Sequence, residues 1–205
     1  NHEDHIGGMD DVITAYSSEV DYIMLSEEEG TTATYRSVVE AADSSSAEQL
    51  TPKAGETYTL GDATWQILSC DTDMPDLNES SIVIKLTYGN TSFLFTGDAT
   101  MNTEQGLEMS GYDLKSDVLK VGHHGSAGST ANSFLDAVAP EIAVISVDSE
   151  SDMGEMYHHP ATSTLQRLSQ HGIKVYRTDE LGTIRITSDG EKLAVSAFAT
   201  STDGT

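Results

Sequence analysis

Apolar positions change period along the chain in a way that marks out most of its elements before any chemistry is considered. Between 6 and about 17, Ile6, Met9, Val12, Ile13 and Tyr16 fall at three- and four-residue spacing, which predicts a helix. Residues 20–25 (VDYIML) predict a short strand. Thr31 or Thr32 can cap a second helix reaching about Ala42, with Tyr35, Val38 and Val39 on one face. After the polar break Ser44-Ser45-Ser46, residues 57–60 and 64–68 read as strands joined by the turn Gly61-Asp62.

The clearest hairpin follows a polar loop at 71–79. Residues 81–88 (SIVIKLTY) and 92–95 (SFLF) flank Gly89-Asn90-Thr91, with glycine where the chain must reverse. A helix is expected over 101–109, a strand over 117–121, a short helix over 133–138 and an almost wholly apolar strand over 142–147. A helix over about 161–171 carries Leu165 and Leu168 inward, and strands at 174–176, 182–187 and 193–198 end the pattern. Strands alternating with helices, with hairpins between, predict one α/β layered domain over 1–205 with mixed sheets and a frayed tail at 199–205.

Composition narrows the partners more than the fold. At 205 residues the chain is long enough to bury a sizeable core. No apolar run approaches the roughly 20 residues that span a bilayer, so no membrane span is expected. The single cysteine, Cys70, excludes an internal disulfide and reads as a buried free thiol. Ten basic against 34 acidic residues give a net charge of −24, a field that repels polyanions at long range. A protein living on non-specific phosphate contacts needs the opposite balance. Lys115 and Lys120 are isolated and mark no nucleic-acid groove.

The histidines change the picture. Six of the seven come as three tight groups: His2 with His5, His123 with His124, and His158 with His159. His2, Asp4 and His5 place two imidazoles and a carboxylate within four positions, before a Gly-Gly that permits a tight turn. That donor set suits zinc, iron or manganese, and no nearby thiolate favours a structural zinc finger. Asp98, after Thr96-Gly97 at the end of a strand, is a common metal-ligand position and equally an ordinary turn or helix cap. His171, before Gly172, reads as a partner of a helix C-terminus. Asn78 and Ser81 are turn formers or site residues on the sequence alone.

Together these residues resemble the metallo-β-lactamase superfamily. His2-Glu3-Asp4-His5 matches the second half of its H-x-H-x-D-H signature, whose first histidine would fall one residue before Asn1. Within the superfamily the chain looks most like the hydrolase domain of the DNA-internalisation competence protein ComEC and its secreted stand-alone relatives. The matching stretches are Asn78-Glu79-Ser80-Ser81, Thr96-Gly97-Asp98-Ala99, the run from Leu119 through His123-His124-Gly125 to Ser126, and Tyr157-His158-His159-Pro160. Thr178-Asp179 and Gly182-Thr183-Ile184 continue the order.

The resemblance implies an αββα sandwich of two mixed sheets flanked by helices, here lacking its N-terminal strands. Upstream strands or a second chain would then complete the sheet. It also implies a hydrolase using hydroxide activated by two divalent metal ions, zinc or manganese. His2, Asp4, His5, Asp98 and His123 are the ligands it implies, with Asp98 bridging. Asp4 would also orient water, His124 would donate a proton to the leaving group, and His159 would act on the substrate. Ser126, Asn78 and Ser81 would contact a small-molecule or nucleic-acid phosphodiester.

Some positions depart from the family pattern. No histidine lies between His5 and His123, where the superfamily has one; the ComEC-like group has Asn-x-x-Ser there instead, matched by Asn78 and Ser81. His158 stands where the family has glycine, and Glu155 where it has asparagine. A catalytically inactive, metal-stabilised cell-surface binding module is the competing reading. The acidic composition and the stand-alone relatives point to an extracellular or cell-surface setting.

Overall fold

The computed structural model describes residues 1–71, 76–148 and 158–198. Seven strands form one mixed sheet in unbroken chain order: β3 (Thr57–Leu60), β4 (Ala63–Ser69), β5 (Val83–Tyr88), β6 (Thr91–Phe95), β7 (Val118–Lys120), β8 (Ile142–Ile145) and β9 (Lys174–Arg177). The first four pair antiparallel, β3–β4 and β5–β6 through tight turns, and β6 to β9 pair parallel. Parallel pairing demands crossover segments. They contain α4 (Met101–Met109), α5 (Asn132–Val138) and α6 (Thr162–Gln170).

Alternation along the strands sorts the two faces of this sheet. Val83, Leu94, Leu119 and Ala143 point to one face and are fully buried against Leu107 of α4, Phe134, Leu135 and Val138 of α5, and Leu168 of α6. The opposite face, with Ile84, Leu86, Phe93, Phe95 and Val144, is apolar but mostly only half covered. Phe93 and Phe95 stack there with centroids 6.3 Å apart.

A second, smaller core holds the first fifty residues. It joins α1 (Glu3–Ile6), α2 (Met9–Ala15), β1 (Tyr22–Met24) and α3 (Ala33–Ser44) through Ile6, Ile13, Ile23, Val38 and Ala42. Thr32 caps α3, accepting from the backbone N–H of Tyr35 at 3.1 Å. The single helix expected from Ile6 is instead two. Helix α1 begins earlier, at Glu3, and Gly8 at φ 81° breaks the path into α2.

Two elements went unforeseen. Strand β2 (Glu48–Leu50) is short and polar and exists by parallel pairing with β1. The single turn α7 (Thr178–Leu181) follows β9 directly. The last hairpin, β10 (Thr183–Ser188) with β11 (Leu193–Phe198), touches the β5–β6 turn, where Asn90 N–H donates to Gly190 O at 2.6 Å. The strands beyond the large sheet therefore stand as two separate pairs, β1–β2 and β10–β11. Cys70 is half-buried rather than buried, its thiol directed at the Pro52 carbonyl 3.5 Å away. Among the described residues no helix is long and apolar enough to cross a membrane.

Candidate metal centre

Three segments far apart in sequence meet at the parallel end of the large sheet. Helix α1 brings Asp4 and His5, the turn after β6 brings Asp98, and the Gly122–Gly125 turn after β7 brings His124. One ligand atom from each of these four lies within 4.8 Å of the others. His5 Nε2 is 3.0 Å from Asp98 Oδ2, and His124 Nε2 is 3.0 Å from Asp4 Oδ2 and 3.5 Å from Asp98 Oδ1. Asp98 is buried while the Asp4 carboxylate is exposed, so the group opens to solvent on one side.

Local backbone geometry builds this convergence. Thr96 Oγ1 donates to Lys120 O at 2.8 Å and ties the ends of β6 and β7 together. His123 N–H then donates to Gly97 O at 3.2 Å. His123 and His124 both adopt left-handed conformations, at φ 48° and 52°. Such residues cost on the order of 1–3 kcal/mol each and persist where their surroundings over-determine them. Here Ser126 N–H bonds His123 O at 2.8 Å, Ser129 Oγ bonds Gly122 O at 2.8 Å, and His124 Nδ1 bonds Ser146 O at 2.7 Å.

The last contact fixes the tautomer. A carbonyl can only accept, so Nδ1 of His124 carries a proton, and Nε2 is the ring nitrogen directed at the two carboxylates. Ser146 is itself held at the end of β8 by its neighbour Val147. The Val147 N–H donates to Thr178 Oγ1, and that hydroxyl donates to Val147 O, both at 2.8 Å.

Electrostatics at the group favour a cation. Burial alone would raise the pKa of Asp98, but the hydrogen bond from His5 and the charges of His5, His124 and His123 outweigh it. Its carboxyl is held below the usual range. His5 is raised, first by its hydrogen bond to Asp98, against the opposing effect of burial. Asp98 Oδ1 and His124 Nε2 are both buried without a hydrogen-bond partner among the described residues. Two carboxylates, two imidazoles and two buried polar atoms without a hydrogen-bond partner fit a divalent ion, which would satisfy atoms that otherwise bear a desolvation cost.

The other candidate residues separate. His2 caps α1 through its carbonyl and lines an adjoining cleft of about 210 Å³ with Asn78, but contributes no atom to the four-residue group. His124, not His123, is the member of its pair that enters the group. Successive left-handed residues turn adjacent side chains apart, and His123 packs edge-on against His159 at 5.6 Å instead. One His124 nitrogen bonds Ser146 O and the other faces the carboxylates of Asp4 and Asp98.

The Ser81 hydroxyl is likewise engaged within the protein, between Asn78 O and Asp98 N. Ser126 Oγ accepts from Gly128 N–H at 3.3 Å. His159 is lowered in pKa, mainly by burial and then by the nearby charges of His123 and His124. His158 sits at φ 52°, a conformation easy for the glycine of the family pattern. His171 closes α6, its Nδ1 2.8 Å from Arg167 O and its Nε2 3.2 Å from Asp136 Oδ1. Tyr157 and Glu155 lie outside the described residues.

Sequence reasoning missed the supports beneath the His pair. Glu104, 1% exposed, accepts the backbone N–H groups of Thr130 and Ala131. Arg167 donates to Thr130 O at 2.7 Å and Ser129 O at 2.8 Å. These contacts run to backbone atoms, so no side-chain pattern announces them.

Residues 1–149 match the sequence model of the metallo-β-lactamase superfamily. The chain belongs to this superfamily. Within the family, it shares 39% identity over 134 residues with ComE operon protein 3 of Bacillus subtilis (strain 168), covering 65% of this chain and 17% of that protein. Competence protein ComA of Neisseria gonorrhoeae is 40% identical over 111 residues, covering 54% of this chain and 16% of its own length. The chain thus spans a small part of these relatives.

Solved structures share the fold, two of them as follows. CmlA, a diiron β-hydroxylase from Streptomyces venezuelae, superimposes with a TM-score of 0.55 at 16% identity, over 86% of this chain and 42% of that one. The metallo-β-lactamase fold protein YhfI from Bacillus subtilis does so at 0.50 and 11% identity, over 95% and 73%.

Proposed function

We propose that the chain is a metal-dependent phosphodiesterase holding two divalent ions, zinc or manganese. The observation that carries this reading is the convergence of Asp4, His5, Asp98 and His124 with two buried polar atoms unpartnered among the described residues. Bound ions would lower the pKa of a coordinated water to roughly 7 and neutralise charge on the attacked group.

The chain's own residues do the rest. Asp98, buried and kept ionised, faces both His5 and His124 and is the candidate bridge. Asp4, exposed and 3.0 Å from His124, reaches toward solvent and can orient a water. His159, held neutral near pH 7 by its lowered pKa, can donate an N–H to a phosphoryl oxygen. His2 and Asn78 line the cleft that Asp98 also lines and would hold a second ion.

The net charge of −24 favours a small or single-stranded phosphodiester over a long duplex gripped along its backbone. The names of two relatives, ComE operon protein 3 and competence protein ComA, support a link to competence. An extracellular or cell-surface location belongs to the same reading and rests on the acidic composition.

A second reading, a metal-stabilised binding module without chemistry, is favoured by one observation: His2 stands outside the four-residue group, which suits one ion better than two. Elemental analysis paired with hydrolysis of bis-p-nitrophenyl phosphate separates them. Two ions per chain, with turnover abolished in Asp98→Ala, is the expected result. One ion and no turnover with zinc or manganese supplied selects the binding module.

A further inference from the structure

The segment between Asn78 and Ser81 was the sequence's candidate substrate contact, and its geometry assigns it another task. It is a tight turn, with Glu79 N–H on Asp76 O, Ser80 N–H on Leu77 O and Ser81 N–H on Asn78 O. Its middle is anchored away from solvent. Glu79 is 8% exposed, and its Oε1 accepts from Thr100 Oγ1 at 3.0 Å and from Asn102 Nδ2 at 2.7 Å, pinning the turn to the start of α4.

On this base the Ser81 hydroxyl makes two bonds, one of each kind. It donates to Asn78 O at 2.8 Å and accepts from the backbone N–H of Asp98 at 2.9 Å. A hydroxyl has one proton, and here it is used inside the turn. The acceptor side holds the backbone of the residue whose carboxylate faces both His5 and His124.

Gly97 gives a second, independent sign of the fit. It stands at φ 54°, and a Cβ added there would come within 2.8 Å of Ser81 Oγ and 2.9 Å of Ser81 Cβ. The serine occupies the space a side chain at 97 would need, so the two positions are matched to one another.

We infer that Ser81 is a positioning residue of the metal centre, setting the orientation of Asp98 through its backbone, and is not a contact to substrate. This rests on the proposed metal-dependent reading. Residues that orient a ligand commonly govern metal affinity by about 10–100-fold.

The test is titration of metal-stripped Ser81→Ala with zinc and with manganese by calorimetry, beside the wild type. Turnover of bis-p-nitrophenyl phosphate at saturating metal is measured in parallel. The expected result is metal affinity weaker by about 10–100-fold, with KM unchanged and kcat reduced. A raised KM with unaltered metal affinity overturns the inference and returns Ser81 to the substrate, leaving the hydrolase reading intact. A wild type that binds no divalent ion overturns both. Should Ser81→Ala not fold, Ser81→Cys, with a similar shape and a weaker acceptor, is put through the same titration with the same opposed outcomes.

Discussion

Replacing the carboxyl of Glu104 by an amide should change how stability responds to pH. Glu104 is 1% exposed beneath the loop that follows the His pair, and its two oxygens take the N–H groups of Thr130 and Ala131. Burial outweighs those bonds and the charge of Arg167, and the carboxyl is pushed up to about 7 from 4.5. A raised value means that the folded state holds the proton more tightly than the unfolded chain. The contribution is therefore fully present below about 4.5 and is lost as pH climbs through about 7.

At about 1.4 kcal/mol per pH unit, the whole loss is about 3.5 kcal/mol, of which about 2.5 kcal/mol falls between pH 5 and pH 8. Glu104→Gln carries no proton to lose. Its stability relative to the wild type should rise by that amount across the window, whatever constant offset the amide brings by facing two donors. Urea denaturation in chelator at pH 5, 6, 7 and 8 reads this directly, starting above the pI of about 4.2 where solubility is poorest. With a urea slope of about 2–3 kcal/mol per molar, the gap between the two midpoints should move by roughly 1 M. Other titrating groups act alike in both proteins and cancel. Curves that stay parallel from pH 5 to pH 8 refute the reasoning.

The remaining predictions concern the same region. His124→Ala should weaken divalent-ion binding by more than the roughly 100-fold that loss of a mere supporting partner can cost. His123→Ala should leave binding nearly unchanged, and calorimetric titration of the two variants side by side decides it. Arg167→Met should destabilise the fold by about 2–4 kcal/mol in urea denaturation, because it strips donors from the carbonyls of Ser129 and Thr130. Gly97→Ala should cost about 1–3 kcal/mol through its φ of 54° and the collision with Ser81, and should lower the melting temperature of the metal-free protein.

How far the sequence carried depends on where each piece of information resides. The β5–β6 hairpin was legible because alternation and a glycine turn agree locally, and α4 because Thr100 precedes a helical run. Strand β2 was not, since Glu48-Gln49-Leu50 has no strand pattern and owes its form to β1. Motif spacing pointed to the strand-end loops that hold Asp98 and the His pair. It named His123 as the ligand, whereas the ring that meets Asp4, His5 and Asp98 is that of His124, a difference made by two left-handed backbone conformations. Nor could Asn78-x-x-Ser81 show that its hydroxyl serves residue 98, for the partner arrives only when β5 and β6 pair.

The division into two cores bears on how the centre works as a mechanical part. His5 precedes Ile6, which belongs to the small core, and Asp98 precedes Ala99, which belongs to the large one. The four-residue group therefore lies on the seam, a clasp fastened from both sides. The His5–Asp98 and Asp4–His124 contacts both cross that seam. An ion gripped by both sides would join residues about ninety positions apart, shortening the slack of the unfolded chain as a cross-link does. By the chain-entropy relation for loops of that length, such a tie is worth about 4–5 kcal/mol.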